Sequence, residues 1–105
     1  AGLIIVGAML LLTPNARVSA NRESLESSRS LYRQHCASCH GANGKAQTPK
    51  GIETEADDLT SSSVKSSSRE RLIRIITNGK GDMPGFKKKL SASQIASITT
   101  YIRSL

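Results

Sequence analysis

The five residues Cys36-Ala37-Ser38-Cys39-His40 constrain this chain more than anything else in it, and they contain both of its cysteines. Two thiols stand three positions apart, followed at once by an imidazole. Three chemistries use such a grouping. A redox-active or disulfide-forming pair usually follows a strand at the start of a helix, whereas this one follows a stretch of helical character in a chain with no evident strand pattern. A zinc site wants four ligands, and beyond scattered carboxylates only His35 remains to join the three. The third chemistry is covalent attachment of a single haem c. Thiols at this spacing can add to the two vinyl groups of one porphyrin, and His40 then lies beneath the iron as the proximal ligand. Cys36, Cys39 and His40 are therefore the expected cofactor-binding residues, with His40 on the metal.

A sixth iron position must be filled from elsewhere or stay open. Met83 is the candidate. It is the one methionine downstream of the motif, and its neighbours Gly81, Pro84 and Gly85 suit a tight loop over a haem face. A thioether ligand raises the reduction potential and closes the iron to small molecules. The competing use of Met83 is core filling, which its place in a Gly/Pro-rich loop disfavours. His35 adjoins Cys36 on the proximal side, cannot easily reach the far face, and is expected at the surface.

The 105 residues fit one domain, and the N-terminus does not read as part of it. Leu3 to Leu12 is almost wholly apolar and is followed by the breaker Pro14 and the small-residue pattern Val18-Ser19-Ala20. That is the form of a secretory signal cleaved after Ala20, and the run is too short for the roughly 20 apolar residues of a membrane span. Residues 1–20 are thus expected to be a signal peptide and residues 21–105 the folded domain, exported and without stable membrane insertion. Export agrees with haem c, which bacteria attach outside the cytoplasm.

The folded part is poor in large apolar side chains, with Tyr32, Phe86 and Tyr101 as its aromatics and no Trp. Conformational entropy costs roughly 1.5 kcal/mol per ordered residue, which such sparse burial scarcely offsets. A cofactor in the middle is the economical remedy. Without Arg17, fourteen Lys and Arg face eight Asp and Glu, a net charge of about +6 that favours acidic partners. Nucleic acid is a poor reading, because no binding motif or interleaved aromatic platform appears.

Ser24 to Cys36 lacks Pro and Gly and lines up Leu25, Ser28, Leu31 and Tyr32, so a first helix is expected to run into the motif. Gly41 to Ser68 has the character of a long loop. Ser67-Ser68-Arg69-Glu70 reads as a capping box opening a short helix with Leu72, Ile73, Ile75 and Ile76 on its apolar face, ended by Gly79. Ser91-Ala92-Ser93-Gln94 opens a C-terminal helix carrying Ile95, Ile98, Tyr101, Ile102 and Leu105.

The segments Leu31-Tyr32-Arg33-Gln34-His35 running into Cys36-Ala37-Ser38-Cys39-His40-Gly41, then Asn78 to Phe86, Leu90-Ser91 and Tyr101 to Leu105, resemble bacterial class I cytochromes c. The resemblance extends from about Ser28 to the end. It is similar to the short monohaem proteins and to cytochrome domains attached to terminal oxidases and dehydrogenases. It implies an all-α fold, a small cytochrome c fold of three to four helices wrapped around one covalently attached haem. The first and last helices would cross, with Leu31, Tyr32, Tyr101 and Ile102 at the contact. It also implies a loop carbonyl accepting the ring N–H of the proximal histidine, and Pro49 is the residue expected to supply it. The Ser- and acid-rich stretch from Ile52 to Ser68 departs from the family pattern.

The function expected is that of a one-electron carrier with His40/Met83 ligation of its haem iron, serving respiratory or periplasmic redox proteins with acidic docking surfaces. Lys45, Lys50, Lys80 and the run Lys87-Lys88-Lys89 flank the loops that would border the haem, as a docking ring or as ordinary solvated surface. The alternative is a haem-based sensor or enzyme with an open sixth position. The chain has no distal histidine or acid–base pair, and no length for a substrate pocket, so enzymatic activity is not expected.

Overall fold

The computed structural model describes residues 2–5, 7 and 14–105. Among them the chain forms six helices: α1 (Pro14–His35), α2 (Ala37–His40), α3 (Pro49–Glu53), α4 (Ser62–Ser66), α5 (Arg69–Asn78) and α6 (Ala92–Ser104). The all-α expectation is met, with α1, α5 and α6 as the longer elements and three short helices beside them. Of the apolar N-terminal run, Leu3, Ile4 and Ile5 are exposed, while Val6 and the stretch from Ala8 to Leu12 lie outside the described residues. No described helix is long and apolar enough to cross a membrane.

Helix α1 begins ten residues earlier than Ser24, at Pro14. Pro14 opens the helix instead of breaking it, because at the first helical position its missing N–H has no intrahelical partner to lose. The small-residue pattern at Val18 to Ala20 consequently lies within α1. The C-terminal part of α1 packs on α6, where Tyr32 and Ile98 are wholly buried and the Tyr32 and Tyr101 rings stand 5.1 Å apart. Leu31 and Leu105 pack against the same core. Burying an isoleucine such as Ile98 or Ile102 is worth about 1.5–3 kcal/mol, so this contact carries much of the helical framework.

The region from Gly41 to Ser68 is more regular than a loop. Thr48 caps α3 by accepting the Gly51 N–H at 2.9 Å, with Pro49 at the first helical position. Ser61 caps α4 by accepting the Val64 N–H at 3.3 Å. Both helices have only five residues, too few for a periodic apolar stripe, and Ile52 on α3 stays exposed.

The cap of α5 lies one residue beyond the expected position. Ser68, not Ser67, accepts the Arg71 N–H at 3.1 Å, and Glu70 is therefore one residue short of the third helical position that a capping box requires. Leu72 and Ile76 are buried, Ile73 and Ile75 half-buried. Gly79 ends the helix at φ 82°, and a Cβ there would stand 2.6 Å from the Met83 carbonyl. The box at Ser91 and Gln94 closes as expected, with reciprocal bonds of 3.1 and 2.9 Å. Arg69 on α5 donates to the Ala96 carbonyl on α6 at 3.0 Å, and Arg103 donates to the Ser67 carbonyl at 2.9 Å.

Candidate functional site

Helix α1 delivers Cys36 at its end, and α2 turns the chain so that Cys39 and His40 follow within one helical turn. The clamp on this turn is Thr48, whose hydroxyl donates to the Ser38 and Cys39 carbonyls at 2.7 and 3.1 Å. Gly51 makes the approach possible, because a Cβ there would lie 2.1 Å from the Cys39 carbonyl. From the other side, the buried Tyr32 hydroxyl donates to the Gly41 carbonyl at 2.6 Å.

The segment bearing Met83 is fastened as tightly. Lys80 and Met83 exchange backbone hydrogen bonds of 3.0 Å each, and Phe86 N–H donates to the Ile76 carbonyl of α5 at 2.9 Å. The Phe86 side chain is buried in the core while Met83 is half-buried against it.

These elements surround a cavity of about 460 Å³ lined by Cys36, Cys39, His40 and Met83 together, with Lys50, Asp57, Ile75, Lys80, Phe86 and Lys89 among the other walls. Its volume lies within the roughly 300–1,000 Å³ common to cofactor sites. A smaller recess of about 100 Å³ shares Cys36, His40, Ile75 and Met83 with it and continues between α4 and α5 past Val64, Leu72 and Ile102. Thus all four residues singled out by the sequence meet at one apolar-walled space. This set can offer a flat cofactor two thiols, an imidazole and a thioether.

His40 is buried, and its Nδ1 lies 2.8 Å from the Asp57 carbonyl oxygen. A carbonyl only accepts, so Nδ1 carries the proton and the lone pair is left on Nε2. The expected partner, Pro49, is corrected by this contact: Pro49 opens α3, and the carbonyl comes from Asp57 further along the chain. Backbone carbonyls carry no residue-type signature, so no sequence signal marks Asp57. His35 also departs from expectation. It is half-buried, lines the cavity, and stands edge-on to Phe86 with ring centres 5.8 Å apart.

Burial, with Cys39 adjacent, pushes the Cys36 thiol up to about 11. Redox-active CxxC pairs need the opposite shift, so the thiol is poorly suited to disulfide exchange. Among the described residues no group of three or more His, Cys, Asp or Glu is placed to hold a metal ion. The exposed Asp58 carboxyl is held below its usual range, chiefly by the Thr60 hydroxyl, then by the Thr60 N–H, with Lys45 adding to them. Of the lysines, Lys50, Lys80 and Lys89 border the cavity, and the Lys89 ammonium lies 6.0 Å from the centre of the Phe86 ring. Lys87 and Lys88 are exposed beside them.

Comparison with known proteins agrees with this architecture. Residues 23–102 match the family described as cytochrome C oxidase, cbb3-type, subunit III. The chain is 32% identical over 100 residues to the cbb3-type cytochrome c oxidase subunit CcoP of Azospirillum brasilense, covering 93% of this chain but 34% of that subunit. It therefore spans about a third of that longer relative. It is 35% identical over 72 residues to cytochrome c6 of Leptolyngbya boryana, covering 69% of this chain and 81% of that protein. Among solved structures, the KustC0563 c-type cytochrome superposes with a TM-score of 0.68 at 30% identity, over 73% of this chain and 94% of its own. With a family match over most of its length and the same helical framework as a solved relative, the chain belongs to the c-type cytochromes, related both to cbb3 oxidase subunit III and to cytochrome c6.

Proposed function

We propose that this protein is a one-electron carrier holding one haem c, bonded through the Cys36 and Cys39 thiols and ligated by His40 and Met83. The observation that carries the reading is the convergence of these four side chains on one cavity from two separately braced segments. The Nδ1–H bond to Asp57 leaves Nε2 of His40 as the nitrogen for iron. Each thiol would add its S–H across one vinyl group, a step that needs no oxidant.

Haem c supplies a reversible ferric/ferrous couple. The chain's own part is to hold that couple with little rearrangement. The Asp57 carbonyl orients His40, while the Lys80–Met83 turn and the Phe86 anchor limit movement of the thioether. Ile75, Leu72 and Ile102 give the inner recess an apolar lining. Lys50, Lys80 and Lys89 at the rim suit docking of redox proteins with acidic surfaces, where complementary charge speeds encounter more than it tightens binding. Residues 1–20 are proposed as an export signal cleaved after Ala20, leaving the carrier in the periplasm or an equivalent exported space. A respiratory role, as a free carrier or as part of an oxidase, rests on the kinship with cbb3 oxidase subunits.

Acidified organic solvent is expected to leave the haem on the chain, since two thioether bonds do not depend on affinity. Extraction of haem from the wild type would overturn the attachment. Wild-type ferrous protein is expected to resist carbon monoxide. Met83→Ala is expected to bind it and to have a lower reduction potential, because axial ligand identity spans roughly 0.8 V. Ready carbon monoxide binding by the wild type would instead favour the sensor or enzyme reading.

A further inference from the structure

The Asp57 carbonyl that meets His40 is held from both sides. Ahead of it, the Ala56 N–H donates to the Gly51 carbonyl at 2.8 Å; behind it, the Leu59 N–H donates to the Gly44 carbonyl at 2.7 Å. The Leu59 side chain is buried in the core. Asp58 stands between these anchors and is exposed, yet its Oδ1 accepts both the Thr60 N–H at 2.8 Å and the Thr60 hydroxyl at 2.6 Å. The Asp57 carbonyl belongs to the peptide plane that joins Asp57 to Asp58. Between those anchors, looseness at Asp58 would let that plane tilt and weaken the alignment of the carbonyl with the imidazole. Bonds to an ionised carboxylate are among the stronger ones available at a surface, and here they lock the turn immediately after the carbonyl.

We propose that Asp58 is a positioning residue for the His40 ring: by fixing the turn to Thr60 it keeps the Asp57 carbonyl on Nδ1–H and so sets how strongly Nε2 donates to iron. This rests on the proposed ligation by His40. A well-aligned Nδ1–H bond raises the basicity of the ring. That favours the ferric state and lowers the potential, so loosening the bond raises it.

The test uses the haem-loaded protein. Asp58→Asn removes the charge but keeps an oxygen that can accept from Thr60. Asp58→Ala removes both. Asp58→Ala is therefore expected to have the higher potential of the two and faster exchange of the His40 Nδ1 proton by NMR. Equal potentials and equal exchange in the two variants would overturn the inference, since charge alone would then account for any change from wild type. Thr60→Ala keeps the carboxylate and removes only the hydroxyl donor, so its potential is also expected to rise; an unchanged value counts against the inference even where Asp58→Ala does not fold. Wild type with covalent haem and a histidine ligand, but equal variants, leaves the proposed function standing and removes only the role of Asp58. Wild type without histidine-ligated haem removes both.

Discussion

Tyr32 shows at the scale of one residue how the site is braced. It is fully buried, and its hydroxyl ends on the carbonyl of Gly41, the residue after His40. Tyr32→Phe keeps the ring against Tyr101 but removes the hydroxyl from that carbonyl, which still accepts the Gly44 N–H at 3.1 Å, so the expected loss by denaturant titration is about 0.5–1.5 kcal/mol. Burial, then the neighbouring Cys36 and Tyr101, hold the phenol well above its ordinary 10.0. The sign follows directly. Above pH ~10 the unfolded tyrosine releases a proton that the folded one keeps, so stability falls as pH rises through that range. The alkaline fall in stability is expected to be shallower in Tyr32→Phe than in wild type, and parallel profiles would show that Tyr32 does not govern it. Little of this bracing was legible beforehand. Tyr32 could be placed at the contact of the first and last helices, but its bond to Gly41 depends on how α2 turns.

At the scale of elements, the caps distinguish two adjacent serines. Ser68 bonds the Arg71 N–H, whereas Ser67, which follows α4, donates its hydroxyl back to the Ser63 carbonyl within that helix. Ser68→Ala is expected to cost about 1 kcal/mol, the usual value of an N-cap. Ser67→Ala is expected to cost a few tenths, as surface changes away from such features do; its backbone carbonyl still receives Arg103. Thermal unfolding of the two variants under identical conditions checks the difference, and equal losses would move the cap to Ser67. The same element decides where Met83 lies, because Phe86 and Lys87 bond to the last turn of α5. Helices α5 and α6 were readable from periodicity and turn chemistry, since both act within a turn or two of chain. The short helices α3 and α4 were not, because five residues give no period to detect.

For the whole molecule the distribution of positive charge matters more than its sum. Lys50, Lys80 and Lys89 border the cavity, while Lys87 and Lys88 stand outside its wall. Reversal of Lys50, Lys80 and Lys89 to Glu is expected to slow electron transfer to an acidic partner more than reversal of Lys87 and Lys88. The gap from wild type is expected to narrow as the screening length falls from about 30 Å at 0.01 M salt to about 8 Å at 0.15 M. Stopped-flow measurement across that range tests it. Equal effects of the two sets would spread the docking surface over the whole basic face, and slowing that does not change with salt would indicate damaged folding.

The sequence by itself determined the all-α class, helices α5 and α6, and the four residues that meet at one cavity. Each of these is written in local spacing, in a motif, or in a residue type that is scarce in this chain. Only the tertiary structure decided that Asp57 and not Pro49 faces His40, that His35 turns inward against Phe86, and which lysines reach the rim. Those outcomes depend on where distant backbone segments come to rest against one another. A peptide carbonyl is the same at every position of the chain, so only the fold can choose among them.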